Sequence, residues 1–425
     1  MSKIIIGCVG DDFSGSSDAA SFFVKAGIST YLFNGIPKEK IKFKDDYVAI
    51  VIALKTRSDD KNSAIKDSLE AFKWLKDNGA KMLFSKYCST FDSTKEGNIG
   101  PVIDAVLEEY DFKYTILCPA LPVNGRIVKN GHLLLNGVPL HETHMKDHPL
   151  TPMWSSDLSK LIETQGKYKS IKIDCETMKK SKEEIMEIIN QFGKDHEHFY
   201  VIPDYVEDED GKKIVDLFGQ LPFLTGGSGL MYDIGIRYKS NYESTKNTYS
   251  PNTHGKAIIL AGSCSKATLE QIEDYIEKGY ESYKINPLDI YNKKQTKEDI
   301  WNLIKSKDSN NILIYSSDNA ENVRDAQKYG AENISNLLEE TAAYIAKSAI
   351  NSGYNRIIVA GGETSGAVTK TLGYTGYIVG DSIAPGVPVM IPVSDINIRL
   401  VLKSGNFGQK DFFHRAVEFT KEESR

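Results

Sequence analysis

At 425 residues, with 40% hydrophobic and 26% charged residues, the chain has a globular composition and is long for one core, so two domains are expected. Its net charge of −6 argues against general nucleic-acid binding, and no apolar run is long enough for a membrane span. Five scattered cysteines without a CxxC pair argue against a disulfide framework or a structural zinc site. Together with a start that does not read as a signal peptide, they point to the cytoplasm.

Lys3 to Val9 predicts a buried parallel strand, and Gly10-Asp11-Asp12-Phe13-Ser14-Gly15 the turn after it. A helix is expected from about Ser16, with Ala19, Ala20, Phe22, Phe23 and Ala26 as apolar positions and Gly27 as its stop. Asp11 and Asp12 are adjacent carboxylates at the C-terminal end of a first strand, where open α/β sheets bind ligands. Either can accept hydrogen bonds from a polyol or take a proton from a hydroxyl. Capping the helix is the competing use of Asp12 or Ser14.

Tyr47 to Leu54 is the next strand, with Arg57 just beyond its end, suited to gripping a carboxylate through two hydrogen bonds. A helix from Ala64 to Asn78 presents Ile65, Leu69, Phe72 and Leu75 on one face. Met82-Leu83-Phe84 is a third strand, followed by the dense polar loop Ser85 to Thr94, which holds Lys86, Asp92, Ser93 and Thr94. Pro101 sits in the first turn of a helix running to Tyr110. Tyr114 to Cys118 is a fourth strand, and two Asn-Gly pairs (Asn130-Gly131, Asn136-Gly137) mark a hairpin. His141, His144 and His148 do not have the spacing of an HExxH helix, so no metal site is expected.

Strands at Ser170–Ile173 and Phe199–Ile202 flank a helix near Lys182–Phe192. Thr225-Gly226-Gly227-Ser228-Gly229-Leu230 lacks the lysine of a P-loop and reads as a packing turn or a secondary ligand loop. The polar segment Tyr238 to Gly255 is the linker. The expected division is an N-terminal domain over 1–240, a linker over 241–255 and a C-terminal domain over 256–425.

The second half restarts with a strand into Gly262-Ser263-Cys264-Ser265 and a helix beyond it. Ile312 to Tyr315 is another strand, and Asn333 to Asn351 a long amphipathic helix. The β-branched run Ile357-Ile358-Val359 ends in Gly361-Gly362-Glu363-Thr364-Ser365-Gly366. Glycine permits close backbone approach, and the helix opening here offers unpaired N–H groups to an anion. Thr364 and Ser365 can cap that helix or donate to phosphate oxygens. Strands at Val387–Ile391 and Ile398–Leu402 close the sheet, the latter leading into Lys403-Ser404-Gly405-Asn406-Phe407-Gly408. Three small-residue loops, each after a strand, can wrap a nucleotide without a Walker lysine.

Together, Gly10 to Gly15, Lys86 with Asp92-Ser93-Thr94, Gly262 to Ser265, Gly361 to Gly366 and Lys403 to Gly408 resemble the four-carbon acid sugar kinase family over nearly the whole chain. Within it, Lys86-Tyr87-Cys88-Ser89-Thr90-Phe91-Asp92-Ser93-Thr94 with Gly97-Asn98-Ile99-Gly100 looks most like the 3-oxo-tetronate kinase branch. Threonate and erythronate kinases tend to carry a shorter Lys-x-Asp-Ser-Thr form followed by Arg-Gly, where this chain has Glu96-Gly97. The resemblance implies ATP-dependent phosphorylation of the terminal hydroxyl of a four-carbon sugar acid.

The expected fold is α/β: two domains, each on a mainly parallel sheet flanked by helices, with the active site in the cleft between them and closing about the linker. The N-terminal domain is expected to bind the sugar acid. Arg57 or Lys86 would take its carboxylate, Asp11, Asp12, Asp92, Ser93 and Thr94 would line the site, and Asp12, then Asp92, would be the base. The C-terminal domain is expected to bind ATP through Ser263, Ser265, Gly361, Gly362, Glu363, Thr364, Ser365 and Gly405. Mg2+ is expected with the triphosphate, without a dedicated cage. A nucleotide and sugar-acid sensor without turnover is the alternative of another class. A NAD-dependent dehydrogenase is disfavoured because no GxGxxG follows a strand. The sequence leaves the oligomeric state open, a homodimer included.

Overall fold

The computed structural model describes residues 3–38, 41, 43, 45, 47–148, 151–240, 249–318 and 328–422. The chain divides into two compact units, residues 1–248 and 249–425. Of the expected linker, residues 241–248 lie outside the described residues. The part that follows is tied to the second unit: Arg399 Nη2 donates to Asn252 O (2.9 Å) and Thr253 N to Thr420 O (2.9 Å).

The strands of the first unit are β1 (Lys3–Gly10), β2 (Ser29–Asn34), β3 (Tyr47–Ala53), β4 (Met82–Lys86), β5 (Tyr114–Cys118), β6 (Arg126–Lys129), β7 (His132–Leu135), β8 (Val138–Pro139), β9 (Lys169–Ile173), β10 (Phe199–Pro203) and β11 (Phe223–Gly226). All but β6, β7 and β8 join one sheet in the order β2-β3-β1-β4-β11-β5-β10-β9, with every neighbouring pair parallel. Helices on both faces bury it, so β1 and β3 read as continuous apolar runs rather than alternating ones. β1 leads through the helix Phe13–Lys25 toward β2 and β3, whereas β4 leads through the helix Ile99–Glu109 toward β5. The sheet therefore changes winding direction between the adjacent strands β1 and β4, which leaves a crevice at their C-terminal ends.

β2 and β11 were not expected. Ser29 and Thr30 read as polar, yet both are buried: Ser29 Oγ donates to Asp45 Oδ2 (2.5 Å) and Thr30 Oγ1 to Ile28 O (2.9 Å). In β11, Thr225 Oγ1 likewise donates to Ile116 O (2.7 Å). Polar groups satisfied in this way no longer mark a loop. The expected hairpin is a three-stranded meander, β6-β7-β8, because both Asn-Gly pairs turn the chain with positive φ.

The second unit contains β12 (Lys256–Ala261), β13 (Ser282–Lys284), β14 (Asn311–Tyr315), β15 (Tyr354–Ala360), β16 (Gly376–Ala384), β17 (Val387–Pro392) and β18 (Arg399–Lys403). Their order is β13-β14-β12-β15-β18-β17-β16, parallel as far as β18 and antiparallel beyond it. Ile259, Leu313, Ile358 and Val401 pack with Phe412, Phe413 and Val417 of the helix Phe412–Phe419 to form one core. The change of direction falls between β12 and β15, whose outgoing loops are two of the three small-residue loops. Among the described residues no helix is long and apolar enough to cross a membrane.

Candidate active site

In the first unit the Asp11 peptide stitches three strand ends together. Asp11 N donates to Lys86 O at the end of β4 (3.1 Å), and Asp11 O accepts from Thr56 N (3.1 Å) and Arg57 N (3.3 Å) beyond β3. Arg57 then grips the Asp11 carboxylate at two points, Nε to Oδ2 at 2.9 Å and Nη2 to Oδ1 at 3.0 Å. It also lies 3.1 Å from Asp12 Oδ2 and 3.9 Å from Asp92 Oδ2. One cation is thus surrounded by three carboxylates. Burial pushes the Asp11 carboxyl up from its ordinary range, with Arg57 pulling against it. Burial alone would lower Arg57, but the charges of Asp11 and Asp12 outweigh it and hold the guanidinium firmly protonated.

Asp12 is the N-cap of the helix Phe13–Lys25, its Oδ1 accepting from Gly15 N at 2.7 Å, so the helix starts three residues earlier than expected. The Asp12 side chain is 33% exposed, against 15% for Asp11 and 14% for Asp92, so it is the carboxylate most open to a ligand. Lys86 is buried, donates from Nζ to Tyr87 O (2.9 Å), and makes no ion pair among the described residues. Asp92 follows Phe91, whose φ of +51° is unusual for a bulky residue. The buried Phe91 ring packs edge-on against Tyr87 (centroids 5.7 Å apart), which anchors this kink and aims Asp92. Asp92 Oδ1 accepts from Thr90 Oγ1 at 2.5 Å. Ser93 Oγ and Thr94 O both accept from Gln165 Nε2, at 2.8 and 2.6 Å. A pocket bordered by Asp11, Arg57, Lys86, Asp92, Ser93 and Asn98 lies in this crevice. Its empty space, including solvent at the mouth, is about 420 Å³.

In the second unit three loops converge at the β12–β15 crevice. Gly262 N and Ser263 N both donate to Ala360 O (3.0 and 3.2 Å), and Gly361 N donates to Lys403 O (3.0 Å). A Cβ at Gly262 would collide with Thr364 Oγ1, and one at Gly405 with Ser263 Oγ, so the loops touch through their glycines. Gly361, at φ +129°, is itself the N-cap of the helix Gly362–Leu372. The expected cap by Thr364 or Ser365 is replaced, because both residues lie within the first helical turn. The N–H groups of Gly362, Glu363 and Thr364 have no protein partner among the described residues, and Ser365 Oγ is buried without one. Beside this turn is a second pocket, of about 470 Å³ including solvent, bordered by Gly262, Ser316, Ser335, Glu339, Glu363 and Thr364. Among the described residues no group of three or more His, Cys, Asp or Glu is placed to hold a metal ion. His148 Nδ1 instead accepts from Thr151 N (3.0 Å).

Comparison with known proteins gives the two halves separate matches. A "Sugar-binding N-terminal domain" family matches residues 6–234, and a "Nucleotide-binding C-terminal domain" family matches residues 258–413. The chain belongs to the four-carbon acid sugar kinase family. Among its relatives is the 3-oxo-tetronate kinase of Haemophilus influenzae, 39% identical over 97% of this chain and 99% of that protein. The 3-oxo-tetronate kinase of Actinobacillus succinogenes is 37% identical over 97% of this chain and 99% of its own length. The crystal structure of Haemophilus influenzae protein HI1011 has the same fold, with a TM-score of 0.86 and 37% identity over 96% of this chain and 98% of that one.

Among the site residues expected in this sugar kinase, Asp11, Asp12, Arg57, Lys86, Asp92, Ser93 and Thr94 fall in one cluster of loops, and Ser263, Ser265, Gly361 to Ser365 and Gly405 in another. Arg57 is the exception in role. It is paired with the protein's own carboxylates, whereas Lys86 has no carboxylate partner among the described residues. Sequence reasoning missed the supports. Asn98 Nδ2 clamps Thr56 O (2.7 Å) and Asp59 O (2.9 Å), and Asp18 accepts from Ser228 Oγ (2.5 Å) within the charge field of Lys86. A carboxylate beside Ala19 and Ala20 on an otherwise small and apolar helix was the available signal for Asp18. Of the stretch Thr225–Leu230, Thr225 and Gly226 end β11 and the turn beyond packs closely: a Cβ at Gly227 would come within 2.6 Å of Pro119 O.

Proposed function

We propose that this chain phosphorylates the terminal 4-hydroxyl of a four-carbon sugar acid, 3-oxo-tetronate, using ATP. The observation that carries the reading is the first-unit pocket, bordered by Asp11, Arg57, Asp92 and the buried Lys86, which has no carboxylate partner among the described residues, with Asp12 on the same arginine. That set matches an acid bearing one carboxylate and more than one hydroxyl. The full-length likeness to proteins named 3-oxo-tetronate kinase supports the choice of acid over D-erythronate or threonate.

Lys86 takes the substrate carboxylate, and Asp92, Ser93 and Thr94 line its hydroxyls. Asp12 orients the attacking hydroxyl and accepts its proton, with Asp92 as the second candidate. Arg57 holds the three carboxylates around one positive charge. In the second unit the amides at Gly362 to Thr364, without a partner among the described residues, and the hydroxyls of Ser263 and Ser365 receive phosphates, while Ser265, whose hydroxyl donates to Gly405 O, holds the neighbouring loop. Phosphoryl transfer is mainly positioning and charge stabilisation, and both sites are built for that. The site suits Mg2+ carried in on the triphosphate, since the turn offers only Glu363 as a single exposed carboxylate. Five free cysteines suit a reducing compartment, the cytoplasm.

The test is ADP release from ATP and Mg2+ in parallel with 3-oxo-tetronate, D-erythronate, D-threonate and L-threonate. Turnover with the oxo acid alone supports the full reading. Turnover only with an aldonate keeps the kinase and overturns the choice of acid. Silence with all four, while ATP still binds, favours the sensor.

A further inference from the structure

The loop after β18 is built so that its peptides all face one way. Lys403 Nζ donates to Gly405 O (2.9 Å), Ser404 O (3.2 Å) and Thr268 Oγ1 (3.0 Å). Gly405 O also accepts from Ser265 Oγ (2.7 Å) and Thr268 Oγ1 (2.9 Å), three donors on an oxygen with two lone pairs. Further along, Gln271 Nε2 lies 3.1 Å from each of Phe407 O, Gly408 O and Gln409 O. The carbonyls of residues 404, 405, 407, 408 and 409 are therefore turned toward Lys403 and the helix Lys266–Glu277.

In a trans peptide the N–H points opposite to the C=O, and no described peptide is cis. The N–H groups of Gly405, Asn406, Gly408 and Gln409 accordingly face away from Lys403 and Gln271. None has a protein partner among the described residues. Successive unpaired amides held from behind form a concavity for an anion. Lys403 is 1% exposed, and among the described residues no carboxylate pairs with it. A buried ammonium without a counter-charge is unfavourable, and burial pushes its pKa down to about 8. A polyanion bound above it would supply what is missing.

We propose that Lys403, Thr268 and Gln271 are positioning residues that turn the 404–409 loop into an amide cradle for the nucleotide phosphates, an inference that rests on the nucleotide reading of the second unit. None of the three touches the nucleotide. Lys403 acts through the peptide it holds and through its buried charge.

The experiment measures the ATP dissociation constant, KM for each substrate and the melting temperature for the full chain and for Lys403→Met and Thr268→Val. Loss of a hydrogen bond from a charged donor predicts ATP binding weakened about 10- to 100-fold in Lys403→Met. Loss of one neutral hydroxyl predicts about 3- to 10-fold in Thr268→Val. KM for the sugar acid stays at its wild-type value in both, a split that a merely structural role would not produce. Should Lys403→Met fail to fold, Thr268→Val decides. Folded variants with unchanged ATP affinity overturn the cradle and leave the kinase standing, as does a parallel rise of both KM values. If the wild-type chain itself does not bind ATP, the nucleotide reading and this inference fall together.

Discussion

Arg57 and Asp11, 46 residues apart in the chain, meet in a two-point ion pair with both bonds between 2.9 and 3.0 Å. The pair welds the turn after β1 to the turn after β3 and brings Asp12 and Asp92 to the same guanidinium. Removing the cation leaves carboxylates facing one another with little solvent to screen them. Arg57→Ala is expected to lose about 3 kcal/mol of stability, the low end for breaking a mostly buried pair. Urea unfolding checks this, and Arg57→Lys should recover only part of the loss because it cannot form the fork.

Asp12 has two uses, and one substitution separates them. Asparagine caps a helix as well as aspartate does, so Asp12→Asn keeps the hydrogen bond to Gly15 N and should melt like the wild type. It cannot accept a proton, and kcat is expected to fall by about 10²- to 10⁴-fold. Unchanged turnover in a folded Asp12→Asn would transfer the base role to Asp92.

Lys86 should govern the acid rather than the nucleotide. Lys86→Met is expected to raise KM for the sugar acid about 10- to 100-fold, the loss of a charge-assisted hydrogen bond, with KM for ATP unchanged. Initial rates over both substrate concentrations read the two constants separately.

The depressed Lys403 gives ATP binding a pH signature. In the folded chain its proton leaves near pH 8, against an ordinary value of 10.5, so between those values the unfolded chain holds a proton that the folded one lacks. Without nucleotide, this group's contribution to stability therefore rises with pH across that window. A bound polyanion favours the ammonium, so binding takes up a proton above pH 8, and ATP affinity should fall by up to about tenfold per pH unit there. Calorimetric titrations from pH 7 to 9.5 would show the limb, and Lys403→Met should flatten it.

Cys264 offers a direct probe of the second site. Among the five free cysteines it is the exposed one, in the loop between β12 and the helix Lys266–Glu277. Alkylation of Cys264 is expected to slow at least several-fold with saturating ATP and to be unaffected by the sugar acid alone. Peptide mass mapping after timed alkylation would read it, and labelling at the same rate with ATP would place the nucleotide elsewhere.

The sequence by itself determined the alternation of apolar strands and polar loops, and hence which residues stand at strand ends. Asp11, Asp12, Arg57, Lys86 and the turn at Gly361-Gly362 were legible there because a strand end followed by glycine or a hydroxyl residue is a local pattern. The start of the helix Phe13–Lys25 was misplaced by three residues because capping is decided by the geometry of one side chain, which residue spacing does not reveal. What only the tertiary structure decided is partnership. Arg57 reads as a grip for a substrate carboxylate until its fork is found filled by Asp11, and Lys403 reads as a strand terminus until its ammonium is found buried under Gly405. Partners 46 and 135 residues apart, such as Arg57 with Asp11 and Lys403 with Thr268, leave no periodic trace, because strand order, not sequence spacing, brings them together.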